Sequence, residues 1–198
     1  MADLSSIHVA SPADRSWASR VPKFIAHRWP TVLGLLFMAF CILDRPDGRS
    51  QAHVVFLAAL IYLSTAVVGR PGVVWILFAV SVAAVGVLGR LDIDHWPALF
   101  AGAVSIVILS LVSDLPRRSG LAALQIPLML IFGAAVFIAL SLSPDLGAYL
   151  VAAALMGHAT LDVIVWRANK VVTRSLAEFC AVLDFSLGAA IIILHLTT

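Results

Sequence analysis

A chain of 198 residues with 62% hydrophobic and only 12% charged residues, and a mean hydropathy of +1.04, falls outside the soluble globular range and inside the polytopic membrane class. Thirteen Lys and Arg against eleven Asp and Glu leave a formal charge of +2, too balanced for a nucleic-acid partner. The length suits a single bundle, and the two cysteines, Cys41 and Cys180, both fall in apolar stretches where a small packing role is expected rather than a disulfide.

Residues 1–23 are polar and basic. Trp17, Val21 and Phe24 recur at helical spacing among Arg15, Arg20 and Lys23, which suits a segment lying in the headgroup region; a disordered basic tail is the alternative. The stretch is too polar, and lacks a small-residue cleavage site after an apolar core, to read as a signal peptide.

Seven apolar spans follow, at about 24–43, 52–69, 73–89, 96–113, 120–143, 147–166 and 171–196, so that 24–198 forms one transmembrane bundle. The first has only a short uncharged run between Arg28 and Asp44, and Arg28 must snorkel. Arg70-Pro71-Gly72 predicts a tight turn between the second and third, and Pro127 a kink in the fifth. Gly86 and Gly89 permit close helix approach.

Placing the N-terminus in the cytoplasm puts ten of the thirteen basic residues inside and leaves only Arg45, Arg49 and Arg90 outside. The outer loops then hold Asp44, Asp47, Asp92, Asp94 and Asp145. The expected fold is therefore all-α, a polytopic seven-transmembrane-helix bundle in the cell membrane, N-terminus in and C-terminus out.

Ionisable side chains inside such spans are costly and mark function by default. His158 precedes Arg167 by nine residues and Asp184 follows Arg174 by ten, so at about 1.5 Å per residue both lie roughly 14 Å deep. Asp162 and Glu178 lie roughly 7 Å deep by the same measure. If the last two spans form an antiparallel hairpin, His158 pairs with Asp184 in one layer and Asp162 with Glu178 in a second; His158 and Asp162, at i and i+4, share a face. Tyr62, Ser64, Thr65 and Gln125 fall at similar depth. Together they predict a polar pocket in the inner half of the bundle, opening toward the cytoplasm, with an apolar outer half above it.

Bland readings stand beside these. His158 could be a packing residue bonded to a carbonyl, and Glu178 could pair with Arg174 at i−4. No metal is expected; Zn or Fe is the lesser alternative, since one histidine with up to three carboxylates lacks the second histidine that most such sites use. His53, His95 and His195 are expected near the opposite face.

Comparison with known patterns excludes more than it assigns. A retinal protein needs a lysine inside its seventh helix, whereas Lys23 and Lys170 flank spans. Intramembrane zinc hydrolases use three buried histidines, and this chain offers one. Asp44-Arg45-Pro46-Asp47-Gly48 looks like the start of the CDP-alcohol phosphotransferase motif, but the required Ala-Arg is missing and no acids follow in the second span. Seven short helices with buried acids resemble, in architecture alone, the membrane-bound terpenoid cyclases, which implies an isoprenoid-like substrate.

Three functions fit these residues. The first is a membrane enzyme, a cyclase, isomerase or hydrolase, acting on a lipophilic lipid or isoprenoid-like molecule. Asp184 or Asp162 is its general acid, His158 the base or orienter and Glu178 the counter-charge, with Tyr62 and Gln125 lining the pocket. The second is a proton-coupled small-molecule transporter using the same side chains as a relay. The third is an accessory subunit. Membrane lipids and a lipophilic small molecule are the expected partners.

Overall fold

The computed structural model describes residues 28–197 apart from Arg45, Pro46 and Ser119; the interfacial segment expected over 1–23 lies outside the described residues. Among these residues the structure is all-helical, without strands. It comprises α1 (Trp29–Asp44), α2 (Ala52–Val68), α3 (Val74–Arg90), α4 (Trp96–Val112), α5 (Gln125–Ser141), α6 (Pro144–Ala168) and α7 (Arg174–Thr197). Four stretches are long and apolar enough to cross a membrane: Gly48–Val68, Pro71–Arg90, Pro144–Ala168 and Arg174–Thr197. The shorter α1, α4 and α5 are apolar as well.

Local chemistry sets the ends. Gly69, at φ +70°, caps α2 by returning its N–H to the Thr65 carbonyl, a left-handed geometry that glycine adopts without strain. Pro144 opens α6 at its first position, where its missing N–H would be unpaired anyway. The same logic corrects the expectation for Pro127. It sits in the first turn of α5, which starts only at Gln125, and there proline costs no helical hydrogen bond and produces no interior kink. Asp47 accepts a hydrogen bond from the Arg49 N–H at 3.0 Å and caps the 3-10 turn Gly48–Gln51, so its carboxylate has a structural use.

Helix α2 is the centre of the bundle: thirteen of its seventeen residues are buried, and α3, α4, α5 and α6 all pack on it. The α6–α7 hairpin forms the most extensive pairing, and α1 lies along the outside of α7. Two glycines allow these approaches. A Cβ on Gly188 would stand 3.0 Å from the Ala152 carbonyl oxygen, and one on Gly34 would stand 2.8 Å from the Phe179 carbonyl oxygen. Backbone cannot step aside as a side chain can. Gly34→Val is therefore expected to push α1 off α7 and cost about 1–3 kcal/mol, read as a lower unfolding midpoint in detergent; unchanged stability would mean that α1 is not seated at Gly34.

Helix termini alternate between two ends. Trp29 of α1 meets Trp75 of α3 at 5.1 Å, and Arg174 of α7 stands over Trp166 of α6; these mark one end, rich in arginine. At the other, Arg49 donates to the Leu142 carbonyl at 3.1 Å, and the rings of His53 and His95 meet at 5.6 Å. Helices α2 and α7 make little direct contact, and a cavity fills the gap between them.

Candidate functional site

The α6–α7 hairpin brings three of the four candidate ionisable residues together. His158 and Asp162, one turn apart on α6, share the face that meets α7. The His158 Nδ1 lies 2.9 Å from Asp184 Oδ2 and 3.3 Å from Asp162 Oδ2. The Tyr62 hydroxyl, reaching across from α2, donates to Asp162 Oδ1. All four side chains are buried, none more than 1% exposed. The imidazole is held between rings as well, edge-on to Tyr62 and Phe132 at 5.1 Å each. An Nδ1–H has one hydrogen for two acceptors, so Asp184 and Asp162 compete for it, with Asp184 the nearer. The order Asp184, His158, Asp162, Tyr62 is thus a continuous hydrogen-bonded line from α7 to α2.

Glu178 does not join this line. It accepts from the Thr31 hydroxyl at 2.6 Å and from Arg28 at 3.4 Å, so the expected Asp162–Glu178 layer is replaced by a tether between α7 and α1. Arg174, the alternative partner at i−4, lies instead over the Trp166 ring at 5.9 Å. The reason is packing: α1 covers the face of α7 that carries Glu178, a contact that the sequence of the hairpin does not specify. Removing this half-exposed pair in Glu178→Ala is expected to cost about 1 kcal/mol, measured by denaturant unfolding. A loss no greater in Thr31→Val than in a surface control would show that the tether is idle.

Gln125 also lies apart. Its amide donates to the Leu121 carbonyl one turn back, and the side chain does not line the cavity. Ser64 and Thr65 likewise bond to carbonyls four residues earlier in their own helix. Of the polar residues expected on α2, Tyr62 alone reaches the cluster.

Asp184, Tyr62 and Cys180 form part of the wall of a cavity of about 470 Å³, while His158 and Asp162 lie behind it. The deep end is closed by an aromatic group drawn from three helices: Phe37, Phe78 and Phe179 are mutually 5.2–5.9 Å apart, with Trp75 packed below them. The other end reaches Asp44, Gln51, His53, Arg90 and His95. This corrects the expected direction: the cavity runs from the buried cluster toward the histidine end of the bundle and is shut at the arginine end. The aromatic plug explains the reversal, because Trp29, Phe37, Trp75 and Phe78 sit on helices whose rotation about their axes the linear sequence leaves open.

Two atoms of the cluster, His158 Nε2 and Asp184 Oδ1, have no hydrogen-bond partner among the described residues. Buried polar atoms of this kind are normally paired, so each has room in its bonding for one further hydrogen bond. One ligand atom each from His158, Asp162 and Asp184 lie within 4.8 Å of one another and could also hold a cation. His158 Nδ1 and the Oδ2 atoms of Asp162 and Asp184 are already within hydrogen-bond reach of one another, so an ion bound through them would displace the shared hydrogen. The arrangement can store a proton away from water and pass it to or from a group in the cavity at Asp184. No protein-family model matches the chain, and no curated protein or solved structure does.

Proposed function

We propose that this chain is an integral membrane enzyme that transfers protons to and from a lipophilic substrate held in the cavity, chemistry of the kind used in isomerisation or cyclisation. One observation carries the reading. Asp184 stands at the boundary between an aromatic-walled, largely apolar chamber and a fully buried imidazole–carboxyl–phenol line. In the reaction Asp184 delivers a proton to the substrate or removes one, and His158 exchanges that proton with it. Asp162 and Tyr62 are positioning residues that fix the imidazole. An isomerisation balances within these groups: a carbon–hydrogen bond forms at one site, another breaks, and the enzyme's proton count is restored.

The same reading takes all seven helices as spans of the cell membrane, with the N-terminus in the cytoplasm and the cavity mouth on the outer side. The short helices α1, α4 and α5 show lipid-compatible outer faces, among them Leu36, Phe40, Val104, Val112, Leu130 and Ile131, all more than half exposed. Faces of that extent are not left to water. The sixteen or seventeen residues of these short helices rise only about 24–26 Å, so the bilayer thins locally or flanking residues snorkel. A reporter enzyme that works only outside the cell, fused after Thr198, is expected to be active; activity only when fused in the 167–173 loop would invert the topology.

The function is tested with purified protein and a cellular lipid extract in heavy water, followed by mass spectrometry. Deuterium entering one lipid species, and its loss in Asp184→Asn, supports the reading. Proton flux across liposomes that depends on Asp184, with no lipid labelled, would instead establish a carrier. Stoichiometric Zn or Fe in active protein would assign the three-residue group to a metal.

A further inference from the structure

The cavity has polar chemistry at both ends and an apolar wall between them. Its lining on α2 runs from His53 to Tyr62, nine residues, or about 14 Å along the helix axis. An extended hydrocarbon advances about 1.25 Å per carbon, given carbon–carbon bonds of about 1.5 Å, so the mouth and Asp184 are separated by about eleven carbons. Val54, Leu57, Ile61, Val82 and Val85 line the length between. A volume of about 470 Å³ is that of a site for one small molecule, which limits the occupant to a single chain.

Two charged side chains stand at the mouth, Asp44 and Arg90; Asp44 is already engaged in an interaction of its own, which leaves Arg90 to hold the head of that chain. Arg90, the last residue of α3, lines the cavity and makes no ion pair among the described residues. Its planar fork matches carboxylate and phosphate oxygens. His53 is fixed beside the mouth by a 2.7 Å hydrogen bond from Nδ1 to the Ser50 carbonyl, which turns its Nε2 edge away from that carbonyl.

We propose that the cavity binds a single-chain amphiphile with an anionic end, a carboxylate or a phosphate ester, whose charged group rests on Arg90 and whose chain reaches Asp184 about eleven carbons away. This deepens the proposed function and rests on it only for what happens at Asp184; binding stands independently. The reacting carbons then lie in mid-chain rather than at the head.

The chain's two cysteines make a ruler. Both line the cavity, Cys41 one turn from the mouth residue Asp44 and Cys180 one turn from Asp184. Labelling by a small methanethiosulfonate on the full-length protein in detergent, followed by mass spectrometry, reads the two depths separately. Hexadecanoate or hexadecyl phosphate is expected to protect both cysteines, and octanoate only Cys41. Hexadecanol should need at least about tenfold higher concentration, the effect of one charge-assisted contact. In Arg90→Gln this difference between anion and alcohol disappears, whereas Arg90→Lys keeps most of it. Arg90 is exposed, so neither variant disturbs packing.

Equal protection by hexadecanol and hexadecanoate in the unaltered protein overturns the proposal, as does loss of both together in Arg90→Gln. A Cys180 that never reacts overturns it too, because the cavity then does not reach Asp184. Protection by hexadecanoate without any lipid turnover removes the catalytic reading and leaves this one. Turnover of a neutral lipid without protection by either anion does the reverse.

Discussion

Asp184→Asn is expected to lower substrate turnover by about 10²–10⁴-fold, the usual worth of a general acid–base group, while the bundle stays folded. Asparagine matches the aspartate in shape and keeps a carbonyl oxygen that can accept from His158 Nδ1, so the 2.9 Å contact survives. What it lacks is a proton to give or a site basic enough to take one. Because Asp184 is 1% exposed, water reaches it only through the cavity that the substrate occupies, so during turnover the exchange is left to the protein's own groups. The measurement is the initial rate of deuterium incorporation, paired with an unfolding curve in the same detergent. Tyr62→Phe supplies the contrast: it removes the hydroxyl that donates to Asp162 but no group at the reacting centre, and a smaller loss of rate is expected. Undiminished turnover in Asp184→Asn would take the carboxyl out of the chemistry.

The helices were legible because hydropathy and punctuation agree. The apolar run starting at Trp96 and the helix Trp96–Val112 differ by a single residue, and Pro144 marks the start of α6 by the rule for first helical positions. The depth of the cluster was legible too. Counting from Arg167 and Arg174 places His158 and Asp184 at one level, and they touch. Which way each face points was not. Glu178 turns to Arg28 and Thr31 because α1 packs on α7, a contact between segments 147 and 150 residues apart that no local pattern encodes. Gln125 bonds to Leu121 because α5 begins there, so its side chain serves the end of the helix.

The mouth was hidden for the same reason. His53 and His95 follow different loops, and Asp44 and Arg90 read as interfacial charges. Only the radial order of α1, α2, α3 and α7 around one gap gathers them. The aromatic plug reads in the sequence as scattered Trp and Phe at helical spacing, which is the ordinary pattern of lipid-facing and packing residues alike. A reversed opening follows directly: the end that the plug fills cannot be the end that admits a ligand.

His158→Leu is expected to be the most destabilising single change in the chain, about 3–5 kcal/mol, because it strips the shared partner from two buried carboxyl groups at once. Leucine fills the imidazole's place between Tyr62 and Phe132 without a large void, so the loss reports electrostatics rather than a cavity. Replacing the remaining members as well separates structure from function. In the combined variant with Asp162→Leu, Asp184→Leu and Tyr62→Phe no polar group of the cluster is left unpaired, and an apolar core of similar volume is typically as stable as the polar one it replaces, or more so. Denaturant unfolding in detergent should therefore show the single variant far below the unaltered protein and the fourfold variant near or above it. That recovery would mean that the cluster is not there to hold α6 against α7. It would favour the catalytic reading, in which the buried line of Asp, His, Asp and Tyr serves Asp184 at the cavity wall. If the fourfold variant stays as unstable as His158→Leu, the polar line is what pairs the helices, and the accessory reading gains over the catalytic one.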